Sequence, residues 1–170
     1  MKQRFIFVTG YFGAPVNDRA VALAAETEGK YISLDEEIEK KDGRSVSRIC
    51  MIMGEHEYRN KEYEILSQLL AGFPKIEADT YHTTKPETES RPVVVACGDG
   101  VLLDEMSAEL ISCHELVIVG GDMSSDELWQ NAEKIKNSCH AFMLEPDGNK
   151  RRKAFESLYK KQRLLFEKFY

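Results

Sequence analysis

The chain alternates between short, continuous apolar runs and longer stretches in which apolar residues recur every three or four positions. FIFVT (5–9), KYISL (30–34), PVVVAC (92–97) and ELVIV (115–119) have the length and apolar content of strands. The runs at 5–9, 92–97 and 115–119 lack the strict in–out alternation of a sheet with one wet face, so they read as strands covered on both sides. Helical spacing predicts helices over 18–28, with Asn17 as the N-cap, and over 35–41, 45–53, 55–71 and 101–112. A further helix runs from Ser124 or Ser125 to about 136, and a last one starts at Asp147 or Asn149. CHAFML (139–144) fits either a strand or a lid. Pro74, Pro86 and Pro92 break the pattern across 73–92, which reads as a loop insertion.

Such alternation predicts an α/β fold, a parallel sheet of four or five strands with helices on both faces. Ligands of these sheets gather at the carboxyl ends of the strands. The loops after Thr9, Leu34, Cys97 and Val119 are therefore the informative ones. A single domain over 1–170 is expected, with a lid-like segment at about 137–149.

Composition narrows the classes. A net charge of −6 argues against a nucleic-acid partner, and no apolar run approaches the roughly 20 residues of a membrane span. The basic N-terminus has too short an apolar part for a signal segment, so a cytoplasmic location is expected. Charge is uneven: residues 149–170 carry eight Lys/Arg and two Glu, a basic helix suited to a solvated face or an acidic partner. Cys50, Cys97, Cys113 and Cys139 show no CxxC pair, which fits a reducing compartment. Adjacent residues point different ways, so the dipeptides Cys113-His114 and Cys139-His140 read as incidental, and no metal site is expected.

The first strand leads into Gly10-Tyr11-Phe12-Gly13-Ala14-Pro15-Val16-Asn17. A phosphate-binding loop, G-x-x-x-x-G-K-[ST], belongs at this place. Here Pro15 replaces its second glycine, Val16 its lysine and Asn17 its magnesium-binding hydroxyl. Proline removes an N–H from the anion nest, and Val16 cannot neutralise phosphate.

Further along, Ser33-Leu34-Asp35-Glu36-Glu37-Ile38-Glu39 is followed by GRSVSRI (43–49), GEHEYR (54–59) and Gly98-Asp99-Gly100. In this order the chain resembles the shikimate kinase family, most closely over 31–62 and again over 142–169. The resemblance implies a P-loop-type three-layer sandwich with strand order 2-3-1-4. It implies substrate contacts from Asp35, Arg59, Gly98, Asp99, Gly100 and Arg163. A second substrate arginine of the family falls in ungapped register on Gln162, beside Arg163. It implies nucleotide contacts from Gly10, Gly13, Ala14 and Asn17. The degenerate catalytic positions are Val16, Asn17 and Ser33, the last standing where the family has a magnesium-assisting aspartate.

Phosphoryl transfer rests on positioning and charge stabilisation, and losing one preorganised donor costs about 3–4 kcal/mol in the transition state. The expected function is therefore that of a pseudokinase with impaired ATP binding, taking a small polyhydroxylated, shikimate-like acid or a protein partner. The alternative is an active ATP- and Mg-dependent small-molecule kinase in which Lys150, Arg151 and Arg152 replace the missing lysine.

Overall fold

The computed structural model describes residues 3–72 and 91–169. Among these, strands β1 (Phe5–Gly10), β2 (Lys30–Ser33), β3 (Val93–Ala96) and β4 (Glu115–Val119) form one sheet in the order β2-β3-β1-β4. All the pairings are parallel, with Phe7 opposite Val95 and Leu116. This is the expected order, with four strands. The insertion at about 73–92 falls, for residues 73–90, outside the described residues.

The two-residue period of β1 divides the interior. Phe5 and Phe7 point into the larger core, with Leu34, Tyr58, Leu66, Ile111, Leu128 and Phe155. Ile6 and Val8 point the other way, onto Ala20 and Ala24 and the neighbouring Val94 and Ala96. Full burial of one large apolar side chain contributes about 1.5–3 kcal/mol, which is why β1 tolerates no polar residue before Thr9.

Helices α1 (Val16–Glu26), α2 (Leu34–Asp42), α3 (Val46–Met53), α4 (Glu55–Leu70), α5 (Glu105–Ser112), α6 (Ser125–Ala132) and α7 (Gly148–Phe166) complete the layers. Several boundaries differ from the expected ones. Pro15, not Asn17, is the cap residue of α1; its φ of −80° already suits helix entry, and no side chain caps the turn. The helix expected over 101–112 is split: Asp104 leaves helical geometry, accepts the Ser107 N–H at 2.9 Å and starts α5 afresh after a 3₁₀ turn. Helix α6 stops at Ala132, and Lys134 and Ile135 continue as i→i+3 turns. Residues 141–144 form a 3₁₀ turn rather than a strand. β4 is half-buried rather than buried, because it lies at the sheet edge with β1 on one side only. Ser124 caps α6 in a reciprocal box with Glu127, and Gly43 ends α2 in the left-handed region. No helix among the described residues is long and apolar enough to cross a membrane.

Candidate functional site

The carboxyl ends of β1, β2 and β3 bring together the β1–α1 loop, the start of α2 and the turn at 98–100. A cleft of about 230 Å³ opens between them, lined by Phe12, Asn17, Asp35, Tyr58, Asp99 and Asn137, among others. Of the residues expected to act, Gly13, Ala14, Val16, Asn17, Asp35, Gly98 and Asp99 line it. Gly10 ends the buried β1 strand, and Ser33 is the buried cap of α2, its hydroxyl accepting the Glu36 N–H at 3.4 Å.

Four backbone donors between Tyr11 and Val16 are bonded inside the protein. The Tyr11 N–H reaches the Val119 carbonyl at 3.1 Å, Phe12 N–H the Gln162 Oε1 at 3.1 Å, and Ala14 N–H the Tyr11 carbonyl at 2.9 Å. The Val16 N–H bonds the Ala14 carbonyl at 2.9 Å, and Pro15 has none to offer. Aromatic contacts hold the loop to α7 and to the segment before it: Tyr11 meets Tyr159 and Phe166, and Phe12 meets His140, Phe142 and Phe155. Gly13, at φ +94°, rests its Cα on the Leu128 carbonyl, where a side chain would collide.

Asp35 lies in the first turn of α2, and its carboxylate accepts the Tyr58 hydroxyl at 2.6 Å. The same hydroxyl is 3.2 Å from Glu62, which is fully buried. One proton cannot serve both carboxylates at once. Burial pushes the Asp35 and Glu62 carboxyls above their ordinary values, with Tyr58 and Arg59 pulling the other way.

Arg59 projects from the buried face of α4 and forms two ion pairs within its own helix. It donates to Glu62 at 2.6 Å and to Glu55 at 3.0 Å, and a further contact reaches the Cys139 sulfur at 3.5 Å. Its guanidinium lies 4.9 Å over the Tyr58 ring and directly beneath Gly100, where a Cβ would strike it. Arg59 does not line the cleft, although it stands just behind it.

Asp99 turns away from the cleft's centre into a second cluster. Its carboxylate is 2.8 Å from His140 Nε2 and accepts Gln162 Nε2 at 2.8 Å, and its carbonyl accepts the same amide at 3.0 Å. Burial works against the Asp99 charge, but His140 more than offsets it and holds the carboxyl below its ordinary value. Burial likewise opposes the imidazolium, yet the Asp99 carboxylate beside it lifts His140 to about 11. Gln162 thus joins the β1–α1 loop to the 98–100 turn through Phe12 and Asp99.

Arg163, expected beside the substrate, is elsewhere. It is exposed on α7, pairs with Glu167 at 3.2 Å and borders a separate surface hollow with Tyr11, Asp122 and Tyr159. The helical turn that points Gln162 inward carries its neighbour outward. Tyr58, Glu62 and His140 are site residues that sequence reading did not select, and Gln162, on which the ungapped family register falls, was passed over for its neighbour Arg163. Glu62 had a signal in its i,i+3 spacing from Arg59, but Tyr58 read only as an apolar position and His140 only as half of an incidental dipeptide. The structure sets that dipeptide against Glu55: ligand atoms of Glu55, Cys139 and His140 lie within 4.8 Å of one another.

The family model for shikimate kinase matches residues 20–169, a stretch that begins within α1. The bifunctional shikimate kinase/3-dehydroquinate synthase of Thermotoga maritima is 34% identical over 106 residues, covering 62% of this chain and 18% of that protein. The shikimate kinase of Nitrosospira multiformis is 27% identical over 132 residues, covering 78% of this chain and 58% of that one. The chain thus spans less than two thirds of the length of these relatives. In fold it is similar to the shikimate kinase from Acinetobacter baumannii in complex with shikimate, with a TM-score of 0.73 at 20% identity over 98% of this chain and 79% of that one. The match of the family model to residues 20–169 assigns the chain to the shikimate kinase family, and the strand order agrees with it.

Proposed function

We propose that this chain is a pseudokinase of the shikimate kinase family, with impaired ATP binding and a cleft that takes a small polyhydroxylated ligand. The observation that carries this reading is the state of the β1–α1 loop. Its N–H groups at Tyr11, Phe12, Ala14 and Val16 are bonded within the protein, and neither a lysine nor a hydroxyl follows them. A phosphate bound there would have to break those bonds and would meet Val16 in place of a cation. The candidates to replace the lysine do not offset this. Arg152 is paired with Asp126 and Glu156, Arg151 donates to the Glu145 carbonyl, and none of residues 150–152 lines the cleft.

Asp35 supports a hydroxyl-rich ligand, since it faces the cleft at a position where a carboxylate can accept from ring hydroxyls. A ligand carboxylate would have to draw Arg59 away from Glu62 and Glu55. A protein partner is the second reading. It is favoured by Met51, Ile52 and Met53, consecutive exposed residues at the end of α3 that lie outside the apolar core of the described residues.

Isothermal titration with Mg-ATP tests the pseudokinase reading, with no binding expected at millimolar nucleotide. Micromolar binding, or turnover of shikimate in a coupled assay, would overturn it. Titration with shikimate alone, repeated on Asp35→Asn, tests the ligand reading. Weak binding lost in the variant is expected, and unchanged binding would remove Asp35 from the site.

A further inference from the structure

The segment between α6 and α7 carries Cys139 and His140, both buried, and it packs where α3 ends and α4 begins. Glu55 opens α4, and Cys50 projects from α3 into the same hollow of about 340 Å³ that Cys139 and His140 line. We propose that Cys139, His140 and Glu55, with Cys50 as the fourth ligand, form a zinc-binding site that pins this segment to α3 and α4.

Three observations support the assignment. Ligand atoms of Glu55, Cys139 and His140 already stand within 4.8 Å of one another. Zinc holds such ligands at about 2.0–2.3 Å in a tetrahedron, so they must approach to within roughly 3.3–3.8 Å of one another, a closure of about 1 Å by side-chain rotation. Thiolate, imidazole and carboxylate together are a donor set that selects zinc over the hard cations. The Cys50 thiol lies beside that of Cys139, and both line the same hollow.

The histidine is also prepared. Asp99 accepts from Nε2 at 2.8 Å, so an ion would bind at Nδ1 in exchange for the proton that this nitrogen carries in the imidazolium. A carboxylate behind the imidazole is the arrangement that orients ligating histidines and raises their basicity. Arg59 is the nearest cation, 3.5 Å from the Cys139 sulfur and 3.0 Å from Glu55. Two thiolates and a carboxylate around a dication carry one net negative charge, which the guanidinium balances while it keeps its bond to Glu62 at 2.6 Å. The site does not depend on whether the neighbouring cleft binds a ligand.

The test is a titration of reduced, chelator-stripped full-length protein with Co²⁺, followed by displacement with Zn²⁺. About one equivalent should bind, with thiolate-to-cobalt charge-transfer absorption and the d–d bands of a tetrahedral ion. Cys139→Ser should abolish the charge-transfer band and Cys50→Ser should weaken it, while Cys113→Ser, at an exposed cysteine outside the cluster, should leave it unchanged. Asp99→Asn should lower affinity roughly 10–100-fold. Absence of the band at saturating Co²⁺, or a band that survives Cys139→Ser, overturns the proposal. If Cys139→Ser does not fold, Cys50→Ser and the partly exposed Glu55→Gln decide: unaltered spectrum and affinity in both overturn it as well.

Discussion

Gln162 is the residue on which most of the site's geometry converges. Its amide accepts from the β1–α1 loop and donates to the turn at 98–100, and it is almost wholly buried. Gln162→Ala leaves the Phe12 N–H and half of the Asp99 shell without partners, at about 1–3 kcal/mol for each unsatisfied group. Urea denaturation should therefore show a loss of roughly 2–4 kcal/mol. Arg59 is bound by the same logic. Arg59→Ala strands the buried Glu62 carboxylate and should cost about 3–5 kcal/mol, whereas the double variant Arg59→Met, Glu62→Leu should cost less than Arg59→Ala alone. A larger loss in the double variant would mean that Arg59 acts through packing against Tyr58 and Gly100 rather than through charge. Gly13→Ala forces a side chain into the left-handed region and onto the Leu128 carbonyl, and should lower stability by at least about 1–3 kcal/mol.

At the scale of elements, a carboxylate at the end of α2 helps fasten it to α4, beside the Asp35–Tyr58 bond and the Lys41–Glu64 pair. Asp42, the last residue of α2, accepts two bonds from Arg44 at 2.5 and 2.9 Å and lies 3.1 Å from Lys61 of α4. The Arg44 bond, then Lys61, holds the Asp42 carboxyl well below the usual carboxylate range. A carboxyl depressed in the folded state adds stability above its unfolded pKa, about 3.9, and loses it as pH falls towards the lower folded value. Asp42→Asn should therefore be less stable than the parent at pH 7, and the gap should narrow steadily below about pH 4. Urea midpoints at pH 7 and pH 3 check this, and a gap independent of pH would contradict it. The segment before α7 is fastened in a different way. Asn137 accepts the Ser47 N–H at 2.9 Å and donates to Glu39 at 2.6 Å, so it ties the approach to Cys139 to α2 and α3.

Over the whole molecule, the carboxyl edge of the sheet carries two neighbouring polar clusters, Asp35–Tyr58–Glu62–Arg59 and Asp99–His140–Gln162. Both are closed by hydrogen bonds among their own members. This is the physical basis for expecting weak nucleotide binding: an anion entering the cleft gains from groups that must first give up a charged or buried partner. Val16→Lys by itself should accordingly fail to restore Mg-ATP binding, because the loop amides stay engaged by Gln162, Val119 and Tyr11. Micromolar binding by Val16→Lys in calorimetry would place the whole defect in the missing charge.

Beyond the strand order, which came from the family resemblance, the sequence by itself determined the alternation of elements, the parallel sheet, and the departures of Pro15, Val16 and Asn17 from a phosphate-binding loop. These are local properties: apolar run length, helical periodicity, and residue types that either can or cannot supply an N–H, a cation or a hydroxyl. It also singled out Asp35, Arg59 and Asp99 by their place in motifs, and the structure sets these three at or just behind the strand ends. Only the tertiary structure decided what those side chains face. That Asp99 is neutralised by His140 from 41 positions away, that Gln162 reaches Phe12 across 150, and that Cys139 meets Arg59 across 80 depends on how α4, α7 and the segment between α6 and α7 pack over the sheet. Arg163 shows the same limit from the other side, since one step along a helix rotates a side chain by about 100° and moves it from core to solvent. Pairings over such separations leave no periodic trace in a single sequence, because their partners are fixed by packing rather than by spacing.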